Sequence, residues 1–307
     1  MNSQCLRVFL SFAVFSGCTD DKPVSANSTA VSATPSPAIV PARLNPGWDT
    51  TAAGPAMLLS LPDNSAVAHL VLPFLTDSAL SAAPSFNLDP LSDMQVELLD
   101  RSGLSGSASL IVDLNQAFPE GCVVWPQGRL SEVPPKSWRV GFSKGSVIPV
   151  PLDSLEGMSN ADSAFVTREL ARLSSMVAEG GDSAFRGLPF AVRKAYRLSL
   201  PSTSVLVGDV VRRIPEEANP RQEHLLLIAE RPAGSSAGYS AAFHSRVAGT
   251  EEAVRTSEIL GAVRFVKTNM PAIILSFEYE EGGRIALVER RGARAWRITW
   301  RSAYTGC

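Results

Sequence analysis

The chain is poor in the side chains that most often carry reaction chemistry. Its 307 residues include three histidines and four cysteines. His69, His224 and His244 are isolated, and no two are spaced to share one helical face. With so few imidazoles and thiolates the sequence offers no metal-ligand set, and it shows no cofactor motif. Glu216-Glu217 and the group Glu278, Glu280 and Glu281 match no calcium loop. Charge of one sign is lacking too, with 28 basic and 30 acidic residues and a net charge of -2. That balance excludes a strong polyanion binder. The apolar run near the start, Val8 to Ser16, has nine residues, too few to cross a bilayer.

What is present begins with that run. Arg7 precedes it, the small residues Ser16-Gly17 close it, and Cys18-Thr19-Asp20-Asp21 follows. One positive charge, a short apolar stretch and small residues form the order of a secretory signal. With cysteine directly after Ser16-Gly17, the segment resembles the lipobox of bacterial lipoproteins, with Phe15 where that pattern usually carries leucine. The resemblance is confined to the N-terminal signal. It implies removal of 1–17, lipidation of Cys18 and attachment to a membrane of the bacterial cell envelope. Thr19 in place of aspartate implies the outer membrane, with the protein facing the periplasm or the surface. Export removes nucleic acid as a partner. Residues 18–45 are rich in serine, threonine, proline and alanine, with almost no large apolar side chain, and are expected to form a disordered tether.

Cys5 would leave with the signal and Cys18 would be consumed by lipid, so the folded part keeps Cys122 and Cys307. In an oxidising compartment these are expected to form a disulfide, the alternative being two buried thiols. A bridge closing so long a loop restrains the unfolded chain by on the order of 5 kcal/mol before strain.

The region 46–307 reads as an α+β fold, predominantly antiparallel β with one amphipathic helix. It is expected either as one domain or as two packed halves, 46–185 and 186–307. The helix is expected at 161–178, where Val166, Leu170, Leu173 and Val177 recur at three and four and Ser159 and Asp162 supply the N-terminal cap. Its polar face, with Arg168, Glu169, Arg172 and Glu179, reads as solvated. Strands are expected at Met57–Leu61, Ala66–Phe74, Met94–Leu99, Ser107–Leu114, Trp138–Phe142, Val205–Val211, His224–Ala229 and Tyr239–Val247. Ser257–Val266 fits helix and strand equally. Ile273 to Trp300 alternates as a three-stranded meander with turns at Gly282-Gly283 and Gly292, and places Trp296, Ile298 and Trp300 on one face. A β-propeller-like or all-β sandwich arrangement is the alternative.

Charge is uneven along this region, with 16 acids against 7 bases in 46–185 and 12 against 18 in 186–307. The halves could complement each other, or the basic one could meet phosphate-bearing lipid. Arg297 and Arg301 are the candidates for contact with an anionic lipid or glycan surface, the alternative being cross-strand pairing with Glu278, Glu280 and Glu289. One catalytic string exists, Gly234-Ser235-Ser236-Ala237-Gly238, in the form of a nucleophile elbow. Pro232 before it, a strand after it and His244 as its only later histidine favour a glycine-serine loop over a nucleophile at Ser236. The expected function is a non-enzymatic envelope lipoprotein, a binding or structural module. A secreted hydrolase is the alternative.

Overall fold

The apolar runs of the first half pair with one another in a ring. The computed structural model describes residues 47–306 apart from 62–63, 78–79, 81–87, 113–121, 133, 136, 178–181, 216–219, 252 and 280–281. The expected signal, Cys18, the tether and Cys307 lie outside the described residues. After a one-turn helix α1 (Thr50–Ala53), capped by the Asp49 carboxylate, come β1 (Met57–Leu61), β2 (Asn64–Val71), β3 (Gln95–Asp100) and β4 (Gly103–Val112). With β5 (Gln127–Leu130) and β6 (Val140–Ser143) they close a barrel in the order β1-β2-β5-β4-β3-β6. Every pairing in it is antiparallel. Inward alternation puts Leu58, Leu70, Leu98 and Leu110 in a fully buried filling. Glycines relieve the crowding. A Cβ on Gly128 would lie 2.6 Å from the Leu110 side chain, and one on Gly141 would lie 3.0 Å from Leu98. Strands β3 and β4 pair as a hairpin with a tight turn. The Asp100 carboxylate accepts the Ser102 and Gly103 N–H groups, and β4 starts at Gly103.

Two further sheets stack on the barrel. The central one contains β7 (Val147–Pro149), β13 (Thr256–Phe265), β14 (Pro271–Tyr279), β15 (Gly282–Gly292) and β16 (Ala295–Arg301), in the order β16-β15-β14-β13-β7. A short β17 (Thr305–Gly306) pairs with β15. The outer sheet contains β8 (Asp153–Ser154), β9 (Ala191–Leu200), β10 (Thr203–Ile214), β11 (Arg221–Pro232) and β12 (Ser240–Thr250), in the order β12-β11-β10-β9-β8. Ile273 and Leu275 of β14 pack with Val205, Val207, Leu226 and Ile228 of the outer sheet. Ile274 packs the other way, with Leu287, Trp300 and the barrel side chains. Helix α2 (Asn160–Val177) covers the far face of the outer sheet through Val166, Leu170 and Leu173. Ser159 Oγ accepts the Asp162 N–H and donates to the Asp162 carboxylate, the expected start of the helix.

The expected α+β class, helix and meander are therefore present, with two sheets facing each other as a sandwich backed by a closed barrel rather than a propeller. Of Ser257–Val266, all but Val266 is strand, within β13. Two expectations change. Glu169 does not sit on a solvated face; it is 9% exposed, pairs with Arg172 and accepts the Tyr239 N–H at 2.8 Å. The tryptophans of β16 do not share a face. The register slips between Leu287 and Val288, whose partners are Trp300 and Ile298, so Thr299 is bulged out of the ladder. Trp296 then faces the outer sheet and Trp300 the barrel. The charge asymmetry is met in part within the fold. Arg284 pairs with Asp77 at 2.6 Å, Arg221 pairs with Asp182, and Arg197 lies 3.6 and 3.7 Å from Asp153 and Asp162.

Glu230 of β11 joins the two sheets. Its carboxylate accepts Arg290 Nε at 2.6 Å and Nη2 at 3.1 Å, the Arg294 N–H at 2.9 Å, and the Trp296 indole. Burial alone would push its pKa up; these donors outweigh it and hold the carboxyl below the usual carboxylate range. Replacing Glu230 by alanine strands a half-buried guanidinium and a buried indole, and urea denaturation is expected to show a loss of about 1–3 kcal/mol at neutral pH. Because the folded pKa is depressed, that stabilisation is present above the unfolded carboxylate pKa and disappears as pH falls through the folded value. The gap between the native protein and Glu230→Gln should narrow on acidification accordingly.

Candidate functional site

The catalytic string does not form an elbow. Gly234 to Gly238 lies in the connection between β11 and β12, two antiparallel neighbours, whereas an elbow needs a strand running into a helix. Ser236 is exposed, and Ser235 Oγ accepts the Ala237 N–H at 3.1 Å, an ordinary serine turn. His244 is exposed on β12, in register with Leu227. The root of the loop is clamped by α2, where Glu169 and Arg172 bind the N–H and carbonyl of Tyr239.

The bulge at Thr299 also divides the candidate anionic contact. Arg297 is paired in register with Glu289 on the barrel side, and Arg301 with Ala286 on the outer-sheet side. Both are exposed, but they are not on a common face. Glu289 forms its ion pair with Arg291. The Glu278 side chain and Glu280 lie outside the described residues. His224 is buried, not at a strand edge. Its Nδ1 lies 3.4 Å from Asp209, its Nε2 lies 3.1 Å from Gln222, and Arg193 Nε donates to Asp209 at 2.6 Å. Each of these polar groups is taken up by the next. Among the described residues no group of three or more His, Cys, Asp or Glu is placed to hold a metal ion.

A concavity lies between the barrel wall and the central sheet. A cleft of about 520 Å³ is lined by Leu59 and His69 of β1 and β2, by Val124 and Trp125, by Ser276 and Ile285, and by the C-terminal Ser302, Thr305 and Gly306. Its size and its apolar walls with few polar groups are those of a small-molecule site. His69 Nδ1 is buried without a hydrogen-bond partner. Burial pushes the His69 pKa below its ordinary value, against the opposing effect of the Trp125 backbone.

Arg284 separates this cleft from a shallower hollow of about 550 Å³ lined by Leu75, Thr76, Thr299 and Arg301. The Asp77 carboxylate holds both ends of the Arg284 fork, at 2.9 and 2.6 Å, and also accepts the Tyr304 N–H at 2.8 Å. Arg284 also lies over the Tyr304 ring, 5.7 Å from its centroid. The Arg284 hydrogen bond, with the Tyr304 N–H adding to it, keeps the Asp77 pKa below the ordinary value. No protein-family model, curated protein or solved structure matches the chain, and the geometry alone carries the functional reading. Asp77→Ala would unfasten both Arg284 and Tyr304. Amide exchange in 302–306 is expected to accelerate by an amount equivalent to about 1–3 kcal/mol, with the barrel amides unchanged.

Proposed function

We propose that the protein is a lipid-anchored module of a bacterial envelope, held through Cys18, whose folded unit binds a small ligand with an apolar body in the cleft beside His69. The observation that carries the binding half is the cleft itself, an apolar hollow with isolated polar groups between two rigid sheets. His69 Nδ1 excepted, the charged and hydroxyl groups at its margin are committed to the fold. Asp77 and Arg284 hold each other, and Ser302 Oγ accepts the Ile285 N–H and donates to the Ala303 carbonyl. This favours recognition over turnover. Among the described residues no helix is long and apolar enough to cross a membrane, which suits attachment through a lipid on Cys18.

A Cys122–Cys307 disulfide belongs to the same reading. What supports it is that Val123, the neighbour of Cys122, exchanges two backbone hydrogen bonds, 2.9 and 2.8 Å, with Gly306, the residue before Cys307. Such a bond would fasten the cleft wall formed by Val124, Thr305 and Gly306. Alkylation under non-reducing conditions is expected to leave both cysteines unmodified; two labelled thiols in protein taken from the envelope would end this part.

The binding half is tested with an apolar fluorophore whose emission rises on burial. Ser276→Trp fills the cleft and is expected to weaken binding at least tenfold while the melting temperature holds. Unchanged affinity would remove the cleft from consideration. Labelling of Ser236 by a fluorophosphonate would overturn the non-catalytic reading in favour of a hydrolase.

A further inference from the structure

Among the described residues five buried side-chain polar atoms have no hydrogen-bond partner: His69 Nδ1, Ser174 Oγ, Glu223 Oε1, Arg246 Nε and Thr299 Oγ1. All but the first belong to the packing. Glu223 Oε1 and Arg246 Nε face each other at 3.5 Å as an ion pair, Ser174 is fully buried in α2, and Thr299 is the bulged residue of β16. His69 differs because it lines the apolar cleft. Its neighbours on β2, Ala68 and Leu70, are buried in the barrel, so alternation turns His69 outward, toward the central sheet.

A nitrogen taken from water without a partner has lost the hydrogen bond that water supplied, and an occupant that restores such a bond gains by it. Nδ1 is covered as the ring stands. The χ2 torsion of an imidazole is broad and roughly two-fold, so a turn of the ring brings the nitrogen to the cleft.

Charge decides what kind of group can meet it. Among the described residues lining the cleft only Arg284 carries a full charge. It is already engaged, since Asp77 holds both arms of its fork and the Ser302 carbonyl accepts Nη1 at 3.1 Å. Burial disfavours the protonated form of His69. A carboxylate or an ammonium would therefore enter an apolar space without a free counter-charge, which is costly. A hydroxyl avoids that cost. Its single oxygen both donates and accepts, so it pairs with Nδ1 whichever tautomer the ring adopts.

We propose that the cleft takes an uncharged alcohol or phenol, its hydroxyl bonded to His69 Nδ1 and its hydrocarbon body against Leu59, Trp125 and Ile285. This ligand class rests on the reading of the cleft as a binding site.

The test uses the full chain and displacement of the apolar fluorophore by four molecules of one shape: 2-naphthol, 2-methylnaphthalene, 2-naphthoate and 2-naphthylmethylammonium. The first should bind about fivefold more tightly than the second, in which a methyl group replaces the hydroxyl, and both ions should bind more weakly than either. His69→Phe keeps an aromatic ring and is expected to erase the advantage of 2-naphthol while 2-methylnaphthalene binds as before. A second measurement needs no variant. In protein labelled with nitrogen-15 histidine, 2-naphthol should shift the His69 Nδ1 resonance and leave those of His224 and His244 in place, and 2-methylnaphthalene should shift it far less. Equal affinity for 2-naphthol and 2-methylnaphthalene, tightest binding of either ion, or an unmoved Nδ1 resonance overturns the ligand class and leaves the cleft standing. Failure of all four to bind overturns the cleft as a site, and the ligand class with it.

Discussion

Strand β14 must be covered on both sides, and the layer order follows from that. Ala272, Ile273, Ile274 and Leu275 are consecutive and at most 1% exposed, so neither face of the strand tolerates water. Burying a side chain of this kind is worth about 1.5–3 kcal/mol. One face takes the outer sheet and the other takes the barrel. Neighbouring β15 repeats the demand, with Ala286 and Val288 toward the outer sheet and Ile285 and Leu287 toward the barrel. The outer sheet is then left with an apolar far face, and the Leu206, Val210, Leu225 and Leu227 side chains there require α2. A Cβ on Gly208 would stand 2.8 Å from Leu170, which shows how closely the helix is seated.

Hydrophobic layers are non-directional, and polar groups at their margins fix the register between them. Glu230 does so between the two sheets, since a carboxylate gripped by Arg290, Trp296 and the Arg294 N–H leaves no alternative alignment of β11 over β15. On the helix side Arg212 and Glu223 form a buried pair, with Arg212 over the Phe190 ring at 4.7 Å. Pairs of this kind are costly to desolvate and contribute more to a unique arrangement than to net stability. The same holds for Asp209, His224 and Gln222, a combination that would suggest catalysis if a nucleophile faced it. Here the far nitrogen of the imidazole meets Gln222 instead.

Periodicity made α2 and the meander legible, because both are local patterns reported by consecutive residues. Barrel closure is not local. It depends on β1 meeting β6 and on Gly128 and Gly141 giving room to leucines tens of residues away, and nothing in the strands themselves announces a ring. The β16 bulge was hidden for a different reason. Trp296, Ile298 and Trp300 fit a period of two perfectly, and only the two-sided demand of β15 shows that one of them must turn over. His69 read as an isolated histidine because the residues that make it part of a cleft come from β14, β15 and the C-terminus. One signal was available: Gly282-Gly283 reads as a turn, yet a Cβ on Gly282 would lie 1.9 Å from the Thr305 carbonyl oxygen. Paired glycines can mark a place where another segment lies down as readily as a place where the chain bends.

That close approach bears on how the cleft is kept. Its C-terminal wall is fastened mainly by polar devices: the Asp77 bonds to Arg284 and Tyr304, the Ser302 hydroxyl, and the reciprocal bonds of Val123 and Gly306. The opposite walls are strands anchored in the two principal cores. Segments with few buried apolar contacts open at a lower free energy than the body of a fold, so the C-terminal wall is where the cleft would yield first. A covalent bond from Cys122 to Cys307 would act at that margin, where the hydrophobic layers do least. Such a bond would serve the shape of the cleft, while the barrel and the two sheets stand on their own packing.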